Sequence, residues 1–66
     1  MHPAVESLLE YFEYEHLPDE LQTVSQPFHD LAHSLVDQEL QGRELTVAMR
    51  KLLEAKDCAV RAALDR

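Results

Sequence analysis

Apolar residues recur at helical spacing along most of the chain, and prolines and a glycine divide the pattern into three predicted helices. The first covers about residues 3–13, with Pro3 suited to its first turn. The segment "YEHLP" should end it, and helices over about 18–40 and 43–64 should follow. The pattern predicts an all-α fold. The apolar positions of the first helix are Val5, Leu8, Leu9 and Phe12.

The second predicted helix starts near Pro18, with Asp19 and Glu20 in the first turn, where the helix dipole favours acids. Pro27 lies inside it and should kink the helix without ending it. Gly42 stands where a glycine after a helix C-terminus is expected, so the second and third helices should form an antiparallel hairpin. The predicted buried stripe is Leu21, Val24, Phe28, Leu31 and Leu35.

The third predicted helix carries two apolar rows side by side, which together cover roughly 200° of its surface. A single helical neighbour needs only about half of that arc. We therefore expect the chain to form a homo-oligomer, and the alanines of the rows would let helices approach closely. The first row is Leu45, Ala48, Leu52, Ala55, Ala59 and Ala62, and the second is Met49, Leu53, Lys56, Val60 and Ala63.

The length of 66 residues suffices for one small domain, which we expect to span residues 1–66. A chain this short is marginally stable alone. Cys58 is its single cysteine, so it has no internal disulfide to compensate, and self-association is the remaining route. The sequence shows neither a signal peptide nor a long apolar run, and we expect a cytoplasmic protein without membrane contact.

Charge is divided unevenly along the chain, whose net charge is −7. Residues 1–42 contain no lysine or arginine, and all 6 of these cations fall within residues 43–66. A surface that binds duplex nucleic acid is normally strongly basic, so we expect no duplex partner. A small anionic ligand remains compatible with this charge distribution if it is held by residues 43–66, by helix N-termini or by aromatic stacking.

Several short motifs together resemble a known family. "YFEYEHLP", "PFHDLAHSL", an Arg-Glu pair after a short turn and "AMRKLLEAKDCAVRAAL" are similar to the small phage hairpin proteins that act as anti-CBASS and anti-Thoeris cyclic-nucleotide sponges. The likeness covers roughly residues 11–64. Its most telling element is the aromatic-x-Tyr sequence before a proline, here Phe12 and Tyr14 before Pro18, and Glu54 and Ala55 in the last helix form the second.

The resemblance implies a hexamer that binds cyclic dinucleotides, and in some members cyclic trinucleotides, in pockets between protomers. Such a protein sequesters the second messenger of a bacterial immune system without cleaving it. In that family the tyrosine stacks on a base, and a basic residue about fifteen positions later meets the phosphates. The matching positions here are Tyr14 and His29.

This sequence departs from the family at the phosphate position, where His29 replaces a strong cation. The third helix instead carries Lys56 within its apolar face, and counting outward from Gly42 sets it opposite Phe28 and beside His29. One hypothesis is that the phosphate-facing charge has moved to Lys56, with Arg50 as the second choice. The other is that the lysine stem covers apolar surface while its ammonium reaches water or a neighbouring acid.

Other chemistry receives less support from the sequence. His29 and His33 have the i, i+4 spacing that can hold zinc, but no further ligand is fixed by spacing, so we expect the polar edge of a helix and no metal. The acids form no isolated pair suited to catalysis, and Cys58 has no partner placed by motif. We expect no enzyme and no cofactor. The alternative to a nucleotide sponge is a structural or protein-interaction hairpin, such as a small phage regulator or adaptor.

Overall fold

The structure, a computed structural model, describes residues 2–66 and contains three helices. They are α1 (Pro3–Glu10), α2 (Asp19–Asp37) and α3 (Arg43–Asp65). Within that described span every regular element is helical, which confirms the all-α prediction. None of these helices is long and apolar enough to cross a membrane.

Helix α1 begins as its sequence suggests but ends earlier than predicted. Pro3 occupies the first turn, and the His2 ring Nδ1 accepts a hydrogen bond from the Ala4 amide at 3.1 Å. The helix stops at Glu10, and Tyr11 and Phe12 form a turn beyond it. This early end allows the chain to turn Phe12 into the core.

Helix α2 runs through Pro27 as one helix, in keeping with the prediction that the proline does not end it. Proline has no amide hydrogen, so the carbonyl four residues earlier, on Thr23, loses its usual helical donor. The helix ends at Asp37, three residues before its predicted end, and Glu39 then takes a positive φ of 61°. Gly42 was expected to close α2, but it precedes α3 with φ 94°, a conformation that suits glycine.

The core forms where α1 and α2 meet the first half of α3. Phe12, Ala32 and Met49 are fully buried there, and Val5 and Leu45 complete the cluster. Both α1 and α2 pack against α3, and the contact between α1 and α2 is smaller. The partly buried side chains around this cluster are Leu8, Leu9, Phe28, Leu35, Val36, Leu52 and Leu53.

The buried face of α2 is rotated from the predicted stripe. Leu31 was expected to be buried and is 47% exposed, whereas its neighbour Ala32 is fully buried. Ser25 is also fully buried, in place of Val24, which is half-buried. Small side chains at Ser25 and Ala32 allow close helix packing, and hydrophobicity alone does not reveal that requirement.

Helix α3 buries only part of its predicted apolar arc. Its buried residues are Leu45 and Met49, and the half-buried positions along the same side include Lys56 and Val60. Three alanines of the first predicted row, spaced seven residues apart, remain exposed: Ala48, Ala55 and Ala62. Val47 is exposed as well. A second apolar face is therefore open on the protomer, although the number of protomers in an assembly stays a prediction.

Candidate functional site

A cleft of about 530 Å³ brings α1, the segment after it and α2 together. The wall from α1 and the following segment includes Tyr14 and His16, and the wall from α2 contains His29 and His33. The remaining lining residues are Leu9, Glu10, Glu13 and Glu15. The cleft thus joins residues that lie 15 or more positions apart in the sequence, such as Tyr14 and His29.

Aromatic rings form a continuous row along the cleft. The Tyr14 and His29 ring centroids are 5.0 Å apart, and their planes meet at 73°. His29 in turn contacts His33, with 4.3 Å between ring centroids. Edge-to-face pairs such as Tyr14 and His29 suit the quadrupoles of aromatic rings.

The segment between α1 and α2 is fixed by polar contacts to α2. The Gln22 side-chain amide donates to the Leu17 carbonyl at 2.8 Å and to the Glu15 carbonyl at 3.2 Å. The Leu17 amide also donates to the Tyr14 carbonyl at 3.0 Å. Pro18 is exposed and precedes the first residue of α2. These contacts hold the backbone of Tyr14 in place, so its ring position does not depend on a loose loop.

Negative charge dominates the lining of the cleft. Glu10, Glu13 and Glu15 lie on one wall, and the lining contains neither lysine nor arginine among the described residues. Within one protomer, the histidines are therefore the only side chains of this described lining that can carry positive charge. An anion would meet repulsion here unless these histidines, a metal cation or a second protomer offset the carboxylates.

Four of the six predicted site residues do not line the cleft: Phe12, Pro18, Arg50 and Lys56. Phe12 is fully buried in the core, so its ring presents no face to a ligand within this protomer. Lys56 does not line the cleft, and its Nζ lies 3.3 Å from the Asp57 carboxylate. Its side chain is only 14% exposed, as expected for a lysine whose stem packs on apolar surface.

Arg50 also lies outside the cleft, on the exposed side of α3. An exposed arginine is free to meet another molecule but cannot act on a ligand in the cleft of its own protomer in this arrangement. Of the predicted ligand residues, the cleft therefore contains Tyr14 and His29.

Sequence reasoning missed most of the polar lining. His16 follows Tyr14 by two positions, and its presence in "YEHLP" was not interpreted as part of a site. His33 was considered only as a partner of His29, through their i, i+4 spacing. The three glutamates lie in and just after α1, and only the turn after this helix shows that they share the cleft.

A second groove, of about 870 Å³, lies at the connection between α2 and α3. It is lined mainly by apolar side chains, including Val5 and Leu40, and by Arg43. No tyrosine or phenylalanine ring lies among the lining residues that the structure describes. It offers Arg43 as a cation and the single ring of His2. The first cleft gathers the rings of Tyr14, His16, His29 and His33 and is the stronger candidate for a planar ligand.

Comparisons with known proteins identify no relative of this chain. No protein-family model, no curated protein and no solved structure matches the chain.

Proposed function

We propose that the protein binds cyclic dinucleotide second messengers of bacterial CBASS-type defence and sequesters them without hydrolysis, with cyclic trinucleotides as a second ligand class to be tested. In this proposal it is a phage immune-evasion protein that acts in the cytosol of the infected host. The helical hairpin assembles as a homo-oligomer, with a hexamer taken from the resemblance. The cleft between α1 and α2 is the ligand site.

The observation that carries the proposal is the contact between Tyr14 and His29. The resemblance selects these two positions from motifs alone, and their rings are 5.0 Å apart on the walls of one cleft. A base stacked on an aromatic side chain typically gains about 1–3 kcal/mol. Tyr14 is half-buried and its backbone is held, so little ordering is needed before a base can stack.

Charge supports a site that a second protomer completes. The glutamates of the cleft repel phosphates, and the arginines and lysines all belong to residues 43–66. Arg50 is exposed, so it can reach the ligand of a neighbouring copy in the proposed assembly. Lys56 is only 14% exposed and can do so only if its ammonium turns away from Asp57. His29 lies beside Tyr14, at the position where the resemblance implies a phosphate contact.

The test is calorimetric titration and native mass spectrometry with a panel of cyclic dinucleotides and trinucleotides. We expect Tyr14→Ala to weaken binding by about tenfold or more, the loss that corresponds to one stacked base. Tyr11→Ala is the matched control, because Tyr11 is 63% exposed and does not line the cleft. Chromatography of the cyclic nucleotide released from the denatured protein should show that it has not been hydrolysed.

A wild-type protein that binds none of the panel would overturn the proposal, and so would equal losses for the two tyrosine variants. A second test uses His29→Lys, which restores the strong cation of the family. This variant should bind more tightly than wild type, because lysine places a full positive charge at the phosphate position. An unchanged or weaker affinity would remove His29 from the phosphate contact.

A protein-interaction hairpin is the second candidate, and the open face of α3 favours it. Val47 is 41% exposed on this face, and Leu31 of α2 is 47% exposed. Apolar side chains of this kind form the centres of protein interfaces. Native mass spectra that show a monomer without bound nucleotide would favour this candidate over the sponge.

A further inference from the structure

Two histidines on α2 already lie side by side on the wall of the cleft. His29 and His33 are one helical turn apart, and their ring centroids are 4.3 Å apart with planes tilted by 42°. With metal–nitrogen bonds of about 2.1 Å and tetrahedral angles, two chelating imidazoles have centroids roughly 5 Å apart. The observed distance between the two ring centroids differs from this value by less than about 1 Å. Small side-chain rotations can produce such a change and allow both rings to bind one metal ion.

A carboxylate prepares one of these rings for metal binding. The His29 Nδ1 lies 2.9 Å from the Asp30 carboxylate, so in the neutral ring the proton is held on Nδ1. The lone pair is then on Nε2, which is the form of imidazole that ligates a metal. Metal-binding histidines commonly donate their second nitrogen to a carboxylate in this way.

The opposite wall supplies further donors within the same cleft. His16, Glu13 and Glu10 line it, although residues 2–66 contain no group of three or more such side chains already gathered around one point. A complete protein cage is therefore not present. Two imidazoles from one helix can chelate a divalent ion while waters take its remaining positions, as a water takes the fourth position of catalytic zinc sites.

We propose that His29 and His33 chelate a divalent transition-metal cation, for which Zn²⁺ is the test ion. Imidazole nitrogen suits zinc, copper and nickel, whereas calcium and magnesium prefer oxygen ligands. The metal would place two positive charges beside Glu10, Glu13 and Glu15, which otherwise leave the cleft negative. This site does not depend on the proposed function, because its ligands belong to one helix of one protomer.

The test is calorimetric titration of the nucleotide-free protein with Zn²⁺, Ni²⁺ and Mg²⁺. We expect one Zn²⁺ per protomer, binding of Ni²⁺ at the same site and no heat from Mg²⁺. His33→Gln should weaken Zn²⁺ binding at least tenfold, and it should preserve the fold because His33 is exposed on α2. His2→Gln is the control and should bind as wild type, since His2 lies outside the cleft.

Nitrogen NMR of the histidine rings separates this site from adventitious binding. Zinc should shift Nε2 of His29 together with a ring nitrogen of His33, and it should leave His2 unchanged. Asp30→Asn should reduce affinity by about tenfold through its effect on the His29 ring. Any of three results would overturn the proposal: wild type gives no heat on titration with Zn²⁺, His33→Gln binds Zn²⁺ as tightly as wild type, or zinc leaves the nitrogen signals of His29 unshifted.

Discussion

The two halves of α3 differ sharply in how well they are covered. Residues 43–53 contain every buried residue of this helix, because α1 and α2 both contribute to the core cluster around Met49. Residues 54–65 contain half-buried positions such as Lys56 and Val60, and none of them belongs to the core cluster. A helix covered by two neighbours forms a closed core, whereas the other half keeps a face that a further partner can cover.

The largest expected effect comes from breaking the covered half. Met49→Ala removes a fully buried side chain from the core cluster and should lower the free energy of unfolding by about 2–5 kcal/mol. A chain of 66 residues has little stability to spare, so this loss should leave much of it unfolded. Urea denaturation followed by circular dichroism measures it. Arg50→Ala, on the exposed side of the same helix, is the control, and equal losses would contradict the comparison.

A smaller effect tests the open half. Val60→Ala should cost about 1 kcal/mol in dilute solution, because Val60 is only half-buried in the protomer. If another copy covers this half, the cost should rise with protein concentration, since association stabilises the folded chain by mass action. Denaturation curves at two concentrations a hundredfold apart provide the measurement. A cost above 2 kcal/mol at the lower concentration would mean that this half is already closed within one protomer.

The smallest effect concerns Lys56 within the open half. Lys56→Met keeps the apolar stem and removes the charge, and the ion pair with Asp57 is a short-range contact between sequence neighbours. We therefore expect stability to change by less than about 1 kcal/mol. The informative measurement is cyclic-dinucleotide affinity: a value within twofold of wild type would leave the lysine as a packing residue, and a large loss would assign it to the phosphates of a ligand.

Helix positions were predictable from the sequence, whereas helix rotation was not. The starts of α1, α2 and α3 lie within one residue of the predicted starts, because proline, glycine and acidic first turns mark them locally. The burial of Ala32 rather than Leu31 depends on how closely α2 approaches its neighbours. That distance is set by side chains from distant parts of the chain, so a hydrophobic pattern within one helix cannot supply it.

The candidate site shows the same limit. Tyr14 and His29 were selected through a family resemblance, and the structure brings them into contact. Phe12 was selected by the same motif and is in the core, because α1 ends before it and the chain turns inward. His16 lines the cleft because the chain turns after α1, and no periodic pattern in the sequence indicates the direction of that turn. Contacts between residues on either side of a turn therefore follow from the three-dimensional path of the chain and not from a local sequence pattern.

The composition of the core cluster has a consequence for the order in which the chain can fold during synthesis. Leu45 and Met49 come from α3, whereas Val5, Phe12 and Ala32 precede it by ten residues or more. Ribosomes add roughly 5–20 residues per second, so α1 and α2 wait only seconds for α3. Until it emerges, however, they have little apolar surface to bury against each other. The domain is thus expected to fold as a single unit once α3 is available, without a stable intermediate made of its first two helices.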